Sequence, residues 1–199
     1  MLGGIVRGRS VALRVPREDD LASFARWAAD MRVRRTSPHA YWDEPAMPAT
    51  WKERLAKQSE SKDSILWAID AGGQLAGACG IELSGAPIAD SVGMTHFTID
   101  PDRWRQGLGW DAALALHRWV FDIVHLRRAT AVIAADNAAA LHVAERLGYR
   151  RYAEGHAAYY RDGAYVDQVR LMMDVDDWTQ RWDATEREYP VPLGEELEQ

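Results

Sequence analysis

One stretch constrains this chain more than any other. An extended run, "SVGMTHFTID", stops at Asp100-Pro101. The glycine-bearing turn "RWRQGLGW" follows, then the helix-period segment "WDAALALHRWVFDIVHL" and the apolar run "ATAVIAA". In the helical segment Ala113, Leu116, Val120 and Ile123 repeat at i, i+3, i+7, i+10, with Trp119 and Val124 widening the face. Strand, turn, helix and strand in that order form a crossover unit. If its two strands are parallel neighbours, the connection must be right-handed. "ATAVIAA" is short and apolar throughout, the pattern of a strand buried on both faces.

The flanking sequence fills out a sheet around this unit. Val11, Leu13 and Val15 alternate with Ala12 and Arg14, which predicts a strand. "REDDLASFARWAADMRV" predicts a helix with acids in its first turn. "SPHAYWDEPAMP" reads as a loop with three prolines, followed by a helix over about residues 49–59. "SILWAID" and "QLAGACGIEL", joined by Gly72-Gly73, predict a hairpin. "NAAALHVAERLGY" predicts a helix with Asn137 at its N-cap and Gly148 just past its end. Two closing strands turn at Asp162-Gly163, Trp178 and Trp182 suggest a docked helix, and "YPVPLGEELEQ" suggests a mobile tail. The class is therefore α+β: one mixed sheet with helices on its faces.

Composition narrows the function. A chain of 199 residues suits one domain, read here as residues 1–175 with a helix and polar tail over 176–199. A net charge of −6 argues against a phosphate-backbone partner, so no nucleic acid is expected. No run approaches the roughly 18 apolar residues of a membrane span, so no membrane association is expected either. The opening "MLGGIVRGRS" lacks a long apolar stretch and a cleavage site, which makes the cytoplasm the expected location. The single Cys79 excludes an internal disulfide and any multi-cysteine metal site, and no metal is expected. Nine tryptophans point to bulky packing at core and interface.

The glycine turn admits two readings. Gly107 and Gly109 permit a tight corner before a helix. They also leave backbone N–H groups bare beside Arg103 and Arg105, where a helix start carries partial positive charge suited to a diphosphate. The third glycine of a dinucleotide fingerprint and the Gly-Lys-Ser/Thr of a P-loop are both absent.

The ordered set from "FTIDPDRWRQGLGWDAALALHRWVFD" through "LRRATAVIAADNAAALHVAERLGYRR" resembles the GNAT superfamily of acyl-CoA-dependent N-acetyltransferases. Within it the chain is most similar to the ribosomal-protein-alanine N-acetyltransferase branch. The superfamily's usual loop Q/R-x-x-G-x-G/A corresponds to Trp104 through Gly109, and its N-x-x-(S/A)…L-G-F/Y corresponds to Asn137 through Tyr149. The close Y-x-x-G-x-x-x-D corresponds to Tyr160, Gly163 and Asp167. The opening "VALRVPREDDLASFARWAAD" is also similar, so the resemblance covers about residues 10–175.

The resemblance implies a splayed pair of parallel strands with acetyl-CoA in the gap. Backbone groups of Phe97, Thr98 and Ile99 would pair with the pantetheine arm. Arg105, Gln106, Gly107, Leu108, Gly109 and Trp110 would cradle the pyrophosphate. Asn137 would bind the pantetheine, hold the nearby loop, or cap its helix. Trp104, in place of the usual Gln or Arg, would cover the loop. The implied reaction is acetyl transfer to a primary amine, on a protein N-terminus or a small molecule, by direct attack in a ternary complex; a homodimer is compatible.

Such a transfer needs a base for the ammonium, an oxyanion donor and an exit for the thiolate. Glu82 and His96 are candidate bases, each also readable as an ordinary strand residue, and a backbone N–H near Phe97 would serve the oxyanion. In related enzymes the acid is a Ser three residues, or a Tyr seven, after the motif Asn. Here those positions are Ala140 and Ala144. Water, Tyr159 or Tyr160 would have to substitute, unless the tyrosines merely pack. The alternative is a GNAT-like acyl-CoA binder whose catalysis has decayed, acting as sensor or scaffold. Trp42, Asp43 and Glu44 would meet a cationic amine or remain a solvated loop.

Overall fold

The computed structural model describes residues 4–36, 48–60, 63–84 and 92–188. Within these described residues eight strands form one sheet: β1 (Val6–Arg7), β2 (Ala12–Arg14), β3 (Ser64–Ala71), β4 (Gln74–Ser84), β5 (Val92–Ile99), β6 (Arg128–Ala134), β7 (Arg150–Arg161) and β8 (Ala164–Asp174). Their order across the sheet is β1-β2-β3-β4-β5-β6-β8-β7. Every neighbouring pair is antiparallel except β5 and β6, which are parallel. Among the described residues six α-helices accompany them: α1 (Leu21–Ala29), α2 (Met31–Arg34), α3 (Pro48–Glu60), α4 (Leu108–Arg118), α5 (Ala138–Leu147) and α6 (Val175–Glu188).

Strand alternation divides the core in two. Trp67, Ile69, Cys79 and Ile81 point to the face covered by α4, α5 and α6, where Leu114, Leu116, Leu141, Trp178 and Trp182 complete the larger cluster. Ala68 and Ala78 point the other way, onto Phe24, Trp27 and Trp51 of α1 and α3. The apolar stripe anticipated after the glycine turn is buried at Ala113, Leu116, Trp119 and Val120, whereas Ile123 at its far end is 55% exposed and Val124 is only partly buried.

Local chemistry sets the helix boundaries. Asn137 caps α5 by accepting from Ala140 N at 3.1 Å, and Gly148 closes it at φ 106°. Asp30 breaks the first predicted helix. Its ψ of 121° is extended, and its carboxylate accepts from Arg32 N to start α2. The long helix after the glycine turn widens into a π turn over Trp119–Ile123, which seats Trp119 edge-on to Trp67 and stacks Phe121 on Trp178. Two-residue β1 was too short to read from sequence. The tail motif "YPVPLGEELEQ" and the loop carrying Trp42, Asp43 and Glu44 lie outside the described residues.

Candidate active site

The parallel pair is a fork. β5 pairs with β4 at eight register positions and β6 pairs with β8 at seven. β5 and β6 meet at only three: Val92–Arg128, Gly93–Ala129 and Met94–Thr130. Beyond Met94 the strands separate, so residues 95–99 present one edge of backbone to the gap and residues 131–134 the other. The divergence also corrects the expectation for "ATAVIAA": Val132 and Ile133 are only partly buried, because β6 borders the gap there.

Where the strands part, the side chains of Thr95, Tyr149 and His117 form a buried polar chain. Thr95 Oγ1 lies 3.4 Å from Thr130 O and 3.3 Å from the Tyr149 hydroxyl. That hydroxyl lies 2.6 Å from His117 Nε2, and His117 Nδ1 lies 2.6 Å from Ala113 O. A carbonyl only accepts, so Nδ1 carries the imidazole proton and Nε2 accepts from Tyr149. Burial pushes the His117 pKa down to about 4, partly offset by the Ala113 bond, and the ring is neutral at pH 7. Burial likewise raises Tyr149 far above the usual phenol range. Sequence reading missed this chain, although His117 follows the apolar run Ala112–Leu116 of α4, four residues beyond Ala113.

At the C-terminal end of β5 the chain makes a single 3-10 turn over Pro101–Arg103 and then the glycine turn. Arg105 at φ 63° and Gly107 at φ 79° are left-handed, and no side chain caps α4. The first helical amide bonded is Asp111 N, to Gly107 O at 3.1 Å, which leaves the amides of Leu108, Gly109 and Trp110 outside the α-helical ladder. Residues 105–107 are exposed, and a Cβ on Gly107 would meet nothing within 4 Å. Trp104 covers the loop in a specific way: its indole N–H donates to Ile99 O at 2.9 Å, so that carbonyl is already engaged.

Asp111 in the first turn of α4 is 1% exposed. Its carboxylate accepts from Arg9 N, Ser10 N, Val11 N and the Ser10 hydroxyl, at 2.6–3.0 Å, clamping the β1–β2 turn to the helix. Across the fork, Asn137 Nδ2 donates to Thr36 O at 3.1 Å, and Arg35 pairs with Asp162 at 2.9 Å. The α2 end, the β6–α5 loop and the β7–β8 turn therefore converge at the fork's mouth.

Register places the other candidates. Glu82 faces Met94, and His96 faces Gly80. Glu82 and His96 are thus diagonal neighbours on the α1–α3 side of the sheet, both exposed. The imidazole overlies Gly80, where a Cβ would collide with Nε2. Phe97 points the opposite way, its ring stacked 6.4 Å from His117. Tyr160 is 61% exposed and packs edge-on against Tyr165, on the α4–α5 side by register. Tyr159 points to the His96 side and is half-buried, with its hydroxyl 2.7 Å from Gln168. Asp167 holds a bulge in β7, accepting from Ala157 N at 2.8 Å. Among the described residues no three His, Cys, Asp or Glu are grouped to hold a metal ion, and no helix is long and apolar enough to cross a membrane.

A forked sheet with a glycine turn at one tip defines a class of acyl-CoA enzyme, and the family model for the acetyltransferase (GNAT) domain matches residues 10–150. The chain belongs to that family. Among solved structures it is similar to Mycobacterium smegmatis RimJ in complex with CoA-disulfide, with TM-score 0.75, 18% identity, and 92% of this chain and 94% of that one covered. It is also similar to the spermidine N-acetyltransferase of Vibrio cholerae in complex with CoA and spermine (TM-score 0.76, 14% identity, 85% and 98% covered). A third is a GNAT-family acetyltransferase from Bacillus anthracis (TM-score 0.70, 15% identity, 87% and 99% covered). At such identities these structures speak for the fold alone. No curated protein sequence matches the chain.

Proposed function

We propose that the chain transfers an acetyl group from acetyl-CoA to a primary amine in a ternary complex. The observation that carries this reading is the three-pair fork beside the bare start of α4. The gap suits an extended, amide-bearing arm, for which residues 97–99 offer strand-like backbone, the Ile99 carbonyl excepted because Trp104 holds it. The turn suits a pyrophosphate: left-handed Arg105 and Gly107 turn successive amides toward one concavity, and a Cβ at Gly109 would meet only Ile99 Cγ1, at 3.5 Å. The residues present fit CoA.

Bound acetyl-CoA supplies an acyl carbonyl activated by a thiolate leaving group. The chain's own contributions divide by face. α4 and the glycine turn hold the cofactor on one side of the sheet. Glu82 and His96 stand on the other, where an amine would approach the fork and lose its proton to one of them. A β5 amide at the gap, near Phe97, would meet the charge developing on the carbonyl oxygen. Ala140 and Ala144 offer no proton to the thiolate. A thiol pKa of about 8.5 makes that group a tolerable leaving group without one, and positioning supplies most of the rate.

The test is a turnover screen with acetyl-CoA against N-terminal peptides, polyamines and aminoglycosides, read as thiol release. Release with any amine class supports transfer. CoA binding without release from any class would make the chain a binder instead.

A further inference from the structure

Arg161 ends β7 and its side chain is only 3% exposed, although it lies outside both apolar clusters. Nη2 donates to Asp136 Oδ1 at 2.8 Å, and Asp136 is itself 54% exposed. Nε and Nη1 are buried and meet no acceptor among the described residues. A guanidinium carries five N–H bonds, so three of them are withdrawn from water with nothing in return. A buried cation left so incompletely paired is costly, and structural packing alone gives no reason to keep it.

Its place in the sheet says what it awaits. Arg161 pairs with Ala164, and Tyr159 with Val166. Val166, Gln168 and Arg170 alternate with Val169, Leu171 and Met173 of the α4–α6 core, so this set occupies the opposite face. Through Met94–Thr130 and Val132–Arg170 that face is continuous with His96 and Glu82. Arg161 is therefore on the amine's side of the fork. Asp136 fastens it to the tip of β6, whereas the glycine turn lies at the tip of β5. Arg161 and Arg170 both act on the Tyr159 hydroxyl, easing the upward push that burial gives it, so the positive field extends along the face.

We propose that Arg161 is a specificity residue that receives an oxyanion of the acceptor, so that the preferred substrate is a primary amine carrying a carboxylate. The inference rests on the acetyl-transfer reading. The reaction remains a simple exchange: the ammonium gives one proton to the base, the C–N bond forms, the C–S bond breaks, sulfur leaves as the thiolate, and the nitrogen's second proton passes through water to that thiolate.

The test compares amines that differ only in the carboxylate, lysine against cadaverine and Gly-Asp amide against Gly-Asn amide. It measures kcat/KM for each, and binding of the same amines to CoA-loaded protein. The wild type should favour the carboxylate member at least tenfold. Arg161→Gln should erase that preference while leaving CoA affinity unchanged. Asp136→Asn removes the competing carboxylate from an exposed position and should raise the preference. A merely structural pair would instead lose function in both variants alike. No preference in the wild type, or a fall in preference with Asp136→Asn, overturns the inference. Loss of CoA affinity in a folded Arg161→Gln also overturns it, since the anion would then be a cofactor phosphate. If no amine is turned over, the transfer reading fails, and the binding measurements still decide whether Arg161 selects a carboxylate.

Discussion

Gly109 and Gly107 do different jobs two residues apart. Gly107 needs its left-handed φ of 79°, so any L side chain there is strained. Gly109 tolerates a methyl, since a Cβ would sit at ordinary contact distance from Ile99. Gly109→Ala should therefore fold normally, and Gly109→Asp should fold yet lose CoA affinity at least tenfold by repelling the pyrophosphate. Calorimetry showing unchanged CoA affinity in a folded Gly109→Asp would remove the cradle assignment. His117 sets a second expectation. Its folded pKa, about 4, lies below the unfolded value of about 6.5. Between those pH values the unfolded chain binds more protons, so stability falls as pH drops from about 6.5 toward 4, by about 3 kcal/mol in all. Urea midpoints measured across that window should show the slope, and His117→Phe should flatten it.

At the scale of elements, the Asp111 clamp joins parts a hundred residues apart in sequence. Asp111→Ala would leave three backbone N–H groups short of an acceptor in a partly buried turn, at a cost of about 3 kcal/mol. A urea titration would read that loss; a change below about 0.5 kcal/mol would mean that the β1–β2 turn finds other partners. Much of this level was legible in advance. The strand–turn–helix–strand unit, the Asn137 cap and the final hairpin all carry local signals, in periodicity, in capping residues or in glycine. Asp111, His117 and Arg161 carry none, because the side chain or turn each one meets lies far off in sequence: the β1–β2 turn for Asp111, Tyr149 for His117, 32 positions on, and Asp136 for Arg161, 25 positions back. The sequence shows Asp111 merely as an acid in a first helical turn. Tyr160 illustrates the same limit: motif spacing singled it out, but only register reveals which side of the sheet it occupies.

For the molecule as a whole, α6 closes the larger core. Trp178 is 2% exposed, stacks on Phe121 and Trp182, and donates from its indole to Asp122 at 2.8 Å. Trp178→Ala should cost about 3–5 kcal/mol, as large-to-small changes at well-packed aromatic sites do. Thermal unfolding followed by near-UV circular dichroism would show a lower midpoint. Retention of the wild-type midpoint would mean that α6 docks without supporting the sheet.

The fork has one more consequence. With three register pairs across the β5–β6 line, the sheet is two antiparallel blocks joined by a short seam. An extended ligand lying in the gap would act as a missing strand, so part of its binding free energy becomes cohesion between the blocks. Saturating CoA at about a hundred times its Kd should add about 2.7 kcal/mol to folding stability. The gain should concentrate as slowed amide exchange over residues 95–99 and 131–134, a footprint along the seam rather than around the helices.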